Sequence, residues 1–221
     1  MVLADMVRDQ SLDPGEALTD LLARRRSIRR LSDGPLPDGA LDRLLTAARL
    51  VPAAYNRHAW HVVVVRERRA AFWTEVEVAF RDGLEGERLE RYLGRLDGFR
   101  GGVGAILIYE DRPAVEEMRA ATGIDVDQAR AFTEQALGMV QLAIWLAAVA
   151  EGLATSLQHW EALIEDRAAA FLDLPRDRFR LTAVMPLGYP AEEPRPVTGS
   201  AVHRVISLET FVKEGSALEQ A

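Results

Sequence analysis

Arg24-Arg25-Arg26-Ser27-Ile28-Arg29-Arg30 sets five arginines into seven residues of a chain whose formal net charge is −7. Guanidinium groups hold phosphate through paired, charge-assisted hydrogen bonds, so a local cationic cluster against an acidic background suits a small anionic ligand. A second reading is open. Gly15 to Ala23 has a helical pattern with Leu18, Leu21 and Leu22 on one face, and arginines in a last turn favour the helix dipole and solvate well. The flanking sequence has to decide between them.

Downstream, Ser32-Asp33-Gly34-Pro35 reads as a turn, and Pro37 can open a helix at its first position. Leu41, Leu44, Leu45, Ala48 and Val51 follow at helical spacing, and Pro52 stops the run. The loop Ala53 to Ala59 leads into Trp60-His61-Val62-Val63-Val64-Val65, whose continuous β-branched character predicts a central strand buried on both faces. Arg68 to Leu84 and Glu87 to Leu96 are helical in pattern but so highly charged that they are expected at the periphery. Glycines 98, 101, 102 and 104 precede a strand, Val103 to Tyr109. A dinucleotide fingerprint needs its glycines between a strand and the helix it feeds, so both order and spacing exclude a Rossmann site here.

Asp111 to Ala121 predicts a short helix, and Asp125 can cap a long one to about Glu151. Phe132, Leu137, Met139, Val140, Leu142, Ile144, Trp145, Leu146 and Val149 lie nearly all round that helix, which must then be buried on all sides. A subunit interface does this economically, which favours a dimer. Leu153 to Leu157 alternates like a strand, Ala162 to Leu172 is helical, and Phe179 to Met185 is a strand. Pro186 to Pro196 reads as an extended connection, and Val202 to Val212 as an edge strand or an arm to a partner.

At 221 residues the chain fits one domain, and its 48% hydrophobic and 28% charged residues are globular values. The acidic excess argues against nucleic acid as a partner. The absence of cysteine excludes disulfides, thiolate metal sites and cysteine nucleophiles, and permits a cytosolic setting. Met1 to Gln10 has no signal-peptide core, and Leu142 to Ala150, the longest apolar run, falls short of a membrane span of roughly 20 residues. The expectation is a cytoplasmic protein with no membrane partner. His58, His61, His159 and His203 form no helical metal-binding face, and Ser156 near His159 lacks a nucleophile elbow. Without a metal site, nucleophile or acid–base pair, the protein either binds without chemistry or takes its chemistry from a cofactor.

Arg25-Arg26-Ser27-Ile28-Arg29, a helix, and then Pro52-Ala53-Ala54-Tyr55-Asn56-Arg57-His58-Ala59-Trp60 before a strand resemble the nitroreductase family. Ser156-Leu157-Gln158-His159-Trp160 and Met185 to Pro194 are similar to its compact branch, which includes fungal fatty-acid-repression-mutant proteins and small bacterial nitroreductases. The resemblance covers about 17 to 212 and implies a single domain over 1–221 with mobile ends. It implies an α+β sandwich, a central mostly antiparallel sheet flanked by helices, and an intertwined homodimer holding FMN at its interface.

By the same resemblance, Arg25, Arg26, Ser27 and Arg29 would hold the FMN phosphate, ribityl chain and pyrimidine edge. Pro52, Ala53, Ala54, Asn56 and His58 would line the ring from the second subunit. Leu157, Gln158 and His159 would lie against the isoalloxazine with backbone amides near N5 and O4, and Arg204 would reach back to the phosphate. His58 and Ala59 stand where the family has Gln-Pro, which bears on that flavin contact. The implied activity passes two electrons from NADH or NADPH to a nitroaromatic or quinone by a ping-pong scheme. No catalytic side chain is required, with His159 the one possible contributor. The alternatives are a narrower reaction (flavin fragmentation, dehalogenation, desaturation) and a flavin-binding regulatory protein.

Overall fold

The structure is a computed structural model that describes residues 13–194. Arg204, the Val202–Val212 arm, the expected mobile C-terminal end and most of the N-terminal one lie outside the described residues, while Pro14 to Glu16 of the latter begin a helix. Strand β5 (Phe179–Pro190) is the spine. On one side it pairs antiparallel with β3 (Gly104–Asp111), which pairs antiparallel with β2 (Trp60–Val65). On the other side its C-terminal end meets the two-residue strands β4 (Ala154–Thr155) and β1 (Leu31–Ser32).

Helices cover both faces. Because side chains alternate along a strand, Ala105, Leu107 and Tyr109 of β3 face one core while Ile106 and Ile108 face the other. The first core is filled by Phe72, Trp73, Val76 and Phe80 of α3 (Arg69–Gly83), Leu96 and Phe99 of α4 (Gly86–Arg100), and Ile164 and Ala168 of α7 (Glu161–Leu172). The second is filled by Leu44 and Ala48 of α2 (Ala40–Arg49) and by Leu137, Val140, Ile144, Trp145 and Ala148 of α6 (Val126–Ala150). Helix α1 (Pro14–Arg24) is capped by Asp13 and ends at the arginine cluster, and α5 (Arg112–Thr122) links β3 to α6.

Three expectations are corrected. Helices α3 and α4 are not peripheral: behind their charged faces, fully buried aromatics pack against the sheet. Strand β2 is not central; among the described residues it ends the sheet, with Val62 to Val64 only half-buried and His61 exposed. Strand β5 does not stop at Met185 but runs on through Pro186, paired opposite Ala105.

Along α6, capped by Asp125 accepting from the Gln128 N–H at 2.8 Å, the inward stripe is buried while Met139 and Leu142 stay 41% and 42% exposed. The outer apolar stripe therefore has no cover among the described residues. Contrary to the expectation from the short run at Leu142 to Ala150, α6 is long and apolar enough to cross a bilayer. Here its inner face is built into the sheet and α2.

At the outer end of the sheet, Asp111 is buried between Arg178 and His61. It accepts from Arg178 Nη2 at 2.9 Å and meets His61 Nε2 at 2.9 Å. The Arg178 guanidinium first, and His61 after it, hold its carboxyl below the usual carboxylate range against the opposing effect of burial.

Candidate functional site

The arginine segment is held in place by strands far away in sequence. Ser27 bridges Thr155 in parallel, and the Ile28 N–H donates to the Thr155 carbonyl at 3.3 Å. The N–H groups of Arg29 and Arg30 both donate to Glu192 Oε1, at 2.5 and 3.1 Å. Ile28 and Leu31 are buried in the first core, so the intervening side chains are turned outward. Two clefts result, with Glu192 on the rim of each. One, of about 490 Å³, is lined by Arg24, Arg26, Ile28, Leu153 and the Pro190–Pro194 segment. The other, of about 350 Å³, lies between Arg29, Arg30 and α4.

Arg25 points to α6, its guanidinium carbon 4.6 Å from the centre of the Trp145 ring. Ser27 is exposed, and Arg29 is half-buried with its Nε bare of any partner. Thr155 Oγ1, across the Ser27 bridge, is likewise buried without a partner. An unpartnered buried guanidinium N–H is costly, and a phosphate or a flavin pyrimidine edge has the acceptors to satisfy it. The residues present fit FMN on that ground.

Gln158 does not offer its amide or its side chain: its N–H donates to the Val184 carbonyl at 2.9 Å, and its Nε2 to Ser156 Oγ at 2.9 Å. The N–H groups of Leu157 and His159 enter no backbone hydrogen bond among the described residues, which leaves those two to face a ring. His159 Nδ1 lies 3.2 Å from the Thr182 carbonyl. A carbonyl only accepts, so Nδ1 carries the proton and, in the neutral ring, the exposed Nε2 is an acceptor. With the proton on Nδ1, a neutral His159 ring would offer a flavin or a bound acceptor only a hydrogen-bond acceptor.

The loop with Pro52, Ala53, Ala54, Asn56 and His58 sits elsewhere. Tyr55 packs edge-on to Phe132 of α6 at 6.3 Å, and His58 stacks on Trp60 at 4.8 Å. Tyr55 and Asn56 are both left-handed (φ 54° and 56°), which a β-carbon tolerates at a cost of order 1 kcal/mol each. Phe132 and Trp145 are thirteen residues apart on α6, about 20 Å at 1.5 Å per residue. Within one chain, then, this loop and the Arg25 seat are at opposite ends of a helix. Trp145, Glu192, Arg91 and Arg95 belong to the site region but were not singled out from sequence. Of these, only Glu192 lay in a segment whose motif drew notice.

The model of the nitroreductase family matches residues 22–189. The chain is a member of the nitroreductase family. The NADH dehydrogenase of Thermus thermophilus is 32% identical over 192 residues, covering 83% of this chain and 91% of that protein. Nitroreductase CinD of Lactococcus lactis, solved with chloramphenicol, superposes with a TM-score of 0.74 at 22% identity, covering 86% of this chain and 99% of the other. A nitroreductase of Desulfitobacterium hafniense, solved with bound FMN, gives 0.64 at 21% identity over 86% and 98%. The nitroreductase fold, a mixed helical and antiparallel sheet sandwich, is that of this chain.

Proposed function

We propose that this nitroreductase is an FMN-dependent oxidoreductase that takes two electrons from NADH or NADPH and passes them to a nitroaromatic or quinone acceptor by a ping-pong scheme. One observation carries the reading beyond family membership: the arginine segment opens on a cleft with a buried, unpartnered Arg29 Nε, in a protein whose fold relatives include an FMN-bound nitroreductase. When bound, FMN supplies the two-electron chemistry. The protein's own part is to bind and orient. Arg25 and Arg26 anchor the phosphate, Arg29 takes the pyrimidine edge, and the free N–H groups of Leu157 and His159 offer donors to the ring. No titratable pair is needed.

The site is shared between two protomers. The Pro52–His58 loop and the arginine segment, about 20 Å apart along α6, meet on one cofactor only when the second chain supplies the loop. The outer stripe of α6, with Met139 and Leu142, is the surface that a second copy covers. The reading places the protein in the cytoplasm, with no nucleic acid or membrane as partner.

The test is the absorbance spectrum of the purified protein followed by anaerobic titration with NADH and NADPH. A yellow protein bleached by either dinucleotide and reoxidised by menadione is expected. Arg25→Ala should release FMN, whereas Arg68→Ala, whose guanidinium lies on the Phe171 ring, should not. Colourless protein that fails to take up added FMN would end the proposal.

A further inference from the structure

The cleft of about 350 Å³ has Arg29 and Arg30 on one wall and Arg91, Gly94 and Arg95 of α4 on the other. Four guanidiniums look onto one space, against a single carboxylate among the described residues, Glu192, already engaged by two backbone N–H groups. Elsewhere on this acidic protein arginines find carboxylates, as Arg81, Arg167, Arg178 and Arg180 do. Among the described residues none of the four at the cleft is in an ion pair. The charge also continues past the cleft. Arg88 and Arg95 both lie over the Tyr92 ring, at 5.8 and 5.7 Å, so one aromatic seats both. Arg88, Arg91 and Arg95 recur at i, i+3 and i+7, one face of a helix, over about 10 Å of its axis.

Gly94 lies among them in the middle of α4, where glycine costs about 1 kcal/mol relative to alanine. A β-carbon there would meet nothing within 4 Å, so packing does not demand the glycine, and any longer side chain would enter the cleft. Arg88 and Arg91 are exposed. Exposed guanidiniums give binding that is weak, salt-sensitive and quickly reversed. That suits a ligand that leaves in every turnover better than a resident cofactor.

We infer that Arg88, Arg91 and Arg95 of α4, with Arg30, form an anion track that receives the phosphate groups of the nicotinamide dinucleotide while its nicotinamide end lies at the flavin beside Arg29. The inference rests on the oxidoreductase reading above. A dinucleotide carries its charge along its length, in a diphosphate and, in NADPH, a ribose phosphate. A row of cations leading away from Arg29 matches that spread.

The test uses the FMN-loaded dimer and the pair Arg88→Gln/Arg91→Gln, neither residue being among the flavin ligands. Titration calorimetry with NADP+ and NAD+ at low ionic strength gives the dissociation constants, and stopped-flow mixing with NADPH gives the rate of flavin reduction at saturation. The expected result is a Kd for NADP+ weakened about tenfold or more, FMN content unchanged, saturated rate within about twofold, and recovery in the Arg88→Lys/Arg91→Lys pair. Loss for NADP+ alone assigns the track to the ribose phosphate, and loss for both dinucleotides assigns it to the diphosphate. Either supports the inference. Unchanged dissociation constants in the variant, with the wild type reduced normally by NADPH, overturn it and leave the oxidoreductase reading standing. FMN lost in step with the arginines overturns it too, by giving the cleft to the flavin. A wild type that holds FMN but binds neither dinucleotide overturns both.

Discussion

The α-carbon of Gly98 lies so close to the carbonyl oxygen of Arg29 that a β-carbon there would overlap it. Gly101 and Gly102 make the same approach to Leu31 and Leu187. These glycines let the C-terminal end of α4 touch the backbone of the arginine segment, and this brings Arg91 and Arg95 opposite Arg29 and Arg30. Gly98→Ala should therefore push α4 outward. The expected cost is about 1–3 kcal/mol, as for overpacking, read as a lower midpoint in urea, together with weaker FMN retention. Gly94→Ala, where a β-carbon meets open space, should instead leave stability equal or slightly raised.

The outer stripe of α6 supplies the second prediction. Leu142→Glu puts a carboxylate in the middle of the exposed apolar surface at no cost to the folded monomer's core. Sedimentation velocity should show the wild type as a dimer and the variant as a monomer. The variant should also lose FMN, since the loop from the second chain is then missing. A monomeric variant that keeps full FMN would remove the shared-site model.

How far the sequence alone reaches is clearest from α6 and α4. Helix α6 was legible throughout, from the Asp125 cap to its end before Gly152, because beyond Glu134 its apolar residues run unmixed with charge. Helices α3 and α4 were legible as helices but not as core. Phe72, Trp73, Val76, Phe80, Leu96 and Phe99 form a narrow buried stripe inside segments crowded with arginine and glutamate, and averaging over such a segment hides the stripe. Strand β2 was misplaced for the opposite reason. A run of valines reports that helices lie above and below a strand, not that strands lie on both sides. In the site, the residues within the motifs were legible by position. Trp145, Glu192, Arg91 and Arg95 reach the arginine segment from distant parts of the chain, and no local pattern announces such meetings.

The sheet end offers a test in pH. The carboxyl of Asp111 is depressed by Arg178 and His61, so its contribution to stability is present above the unfolded carboxylate value, about 3.9, and is lost as pH falls through the lower folded value. Asp111→Asn should cost about 1.5–3 kcal/mol at pH 7, as for hydrogen bonds to charged groups. In thermal melts carried down to the acid side of both values, the gap between wild type and variant should close.

His159 tests the open-surface picture of the chemistry. With Nδ1–H given to the Thr182 carbonyl, the neutral ring has only an acceptor to present to solvent. His159→Ala should keep FMN content and dimerisation, and should lower turnover by less than about tenfold, below the usual worth of a general acid. Loss of both half-reactions with the cofactor retained would identify His159 as an essential proton donor and favour a narrower, dedicated reaction.

The hydrogen bonds from Arg29 and Arg30 to Glu192 span 163 and 162 residues, and Leu31 finds its strand partner only at Pro190. A chain emerging from the ribosome N-terminus first thus exposes its arginines early and waits for almost the whole domain before these last partners are made. At about 5–20 residues per second, the interval is on the order of ten seconds. During it, α3, α4 and the β2–β3 pair can assemble from nearer contacts, and α4 can meet the arginine segment at Gly98, but that segment still lacks its β5 and Glu192 partners. The pocket proposed for the flavin is accordingly completed late. A truncation that stops short of Glu192 would leave most of the sheet intact and the cofactor with nowhere to go.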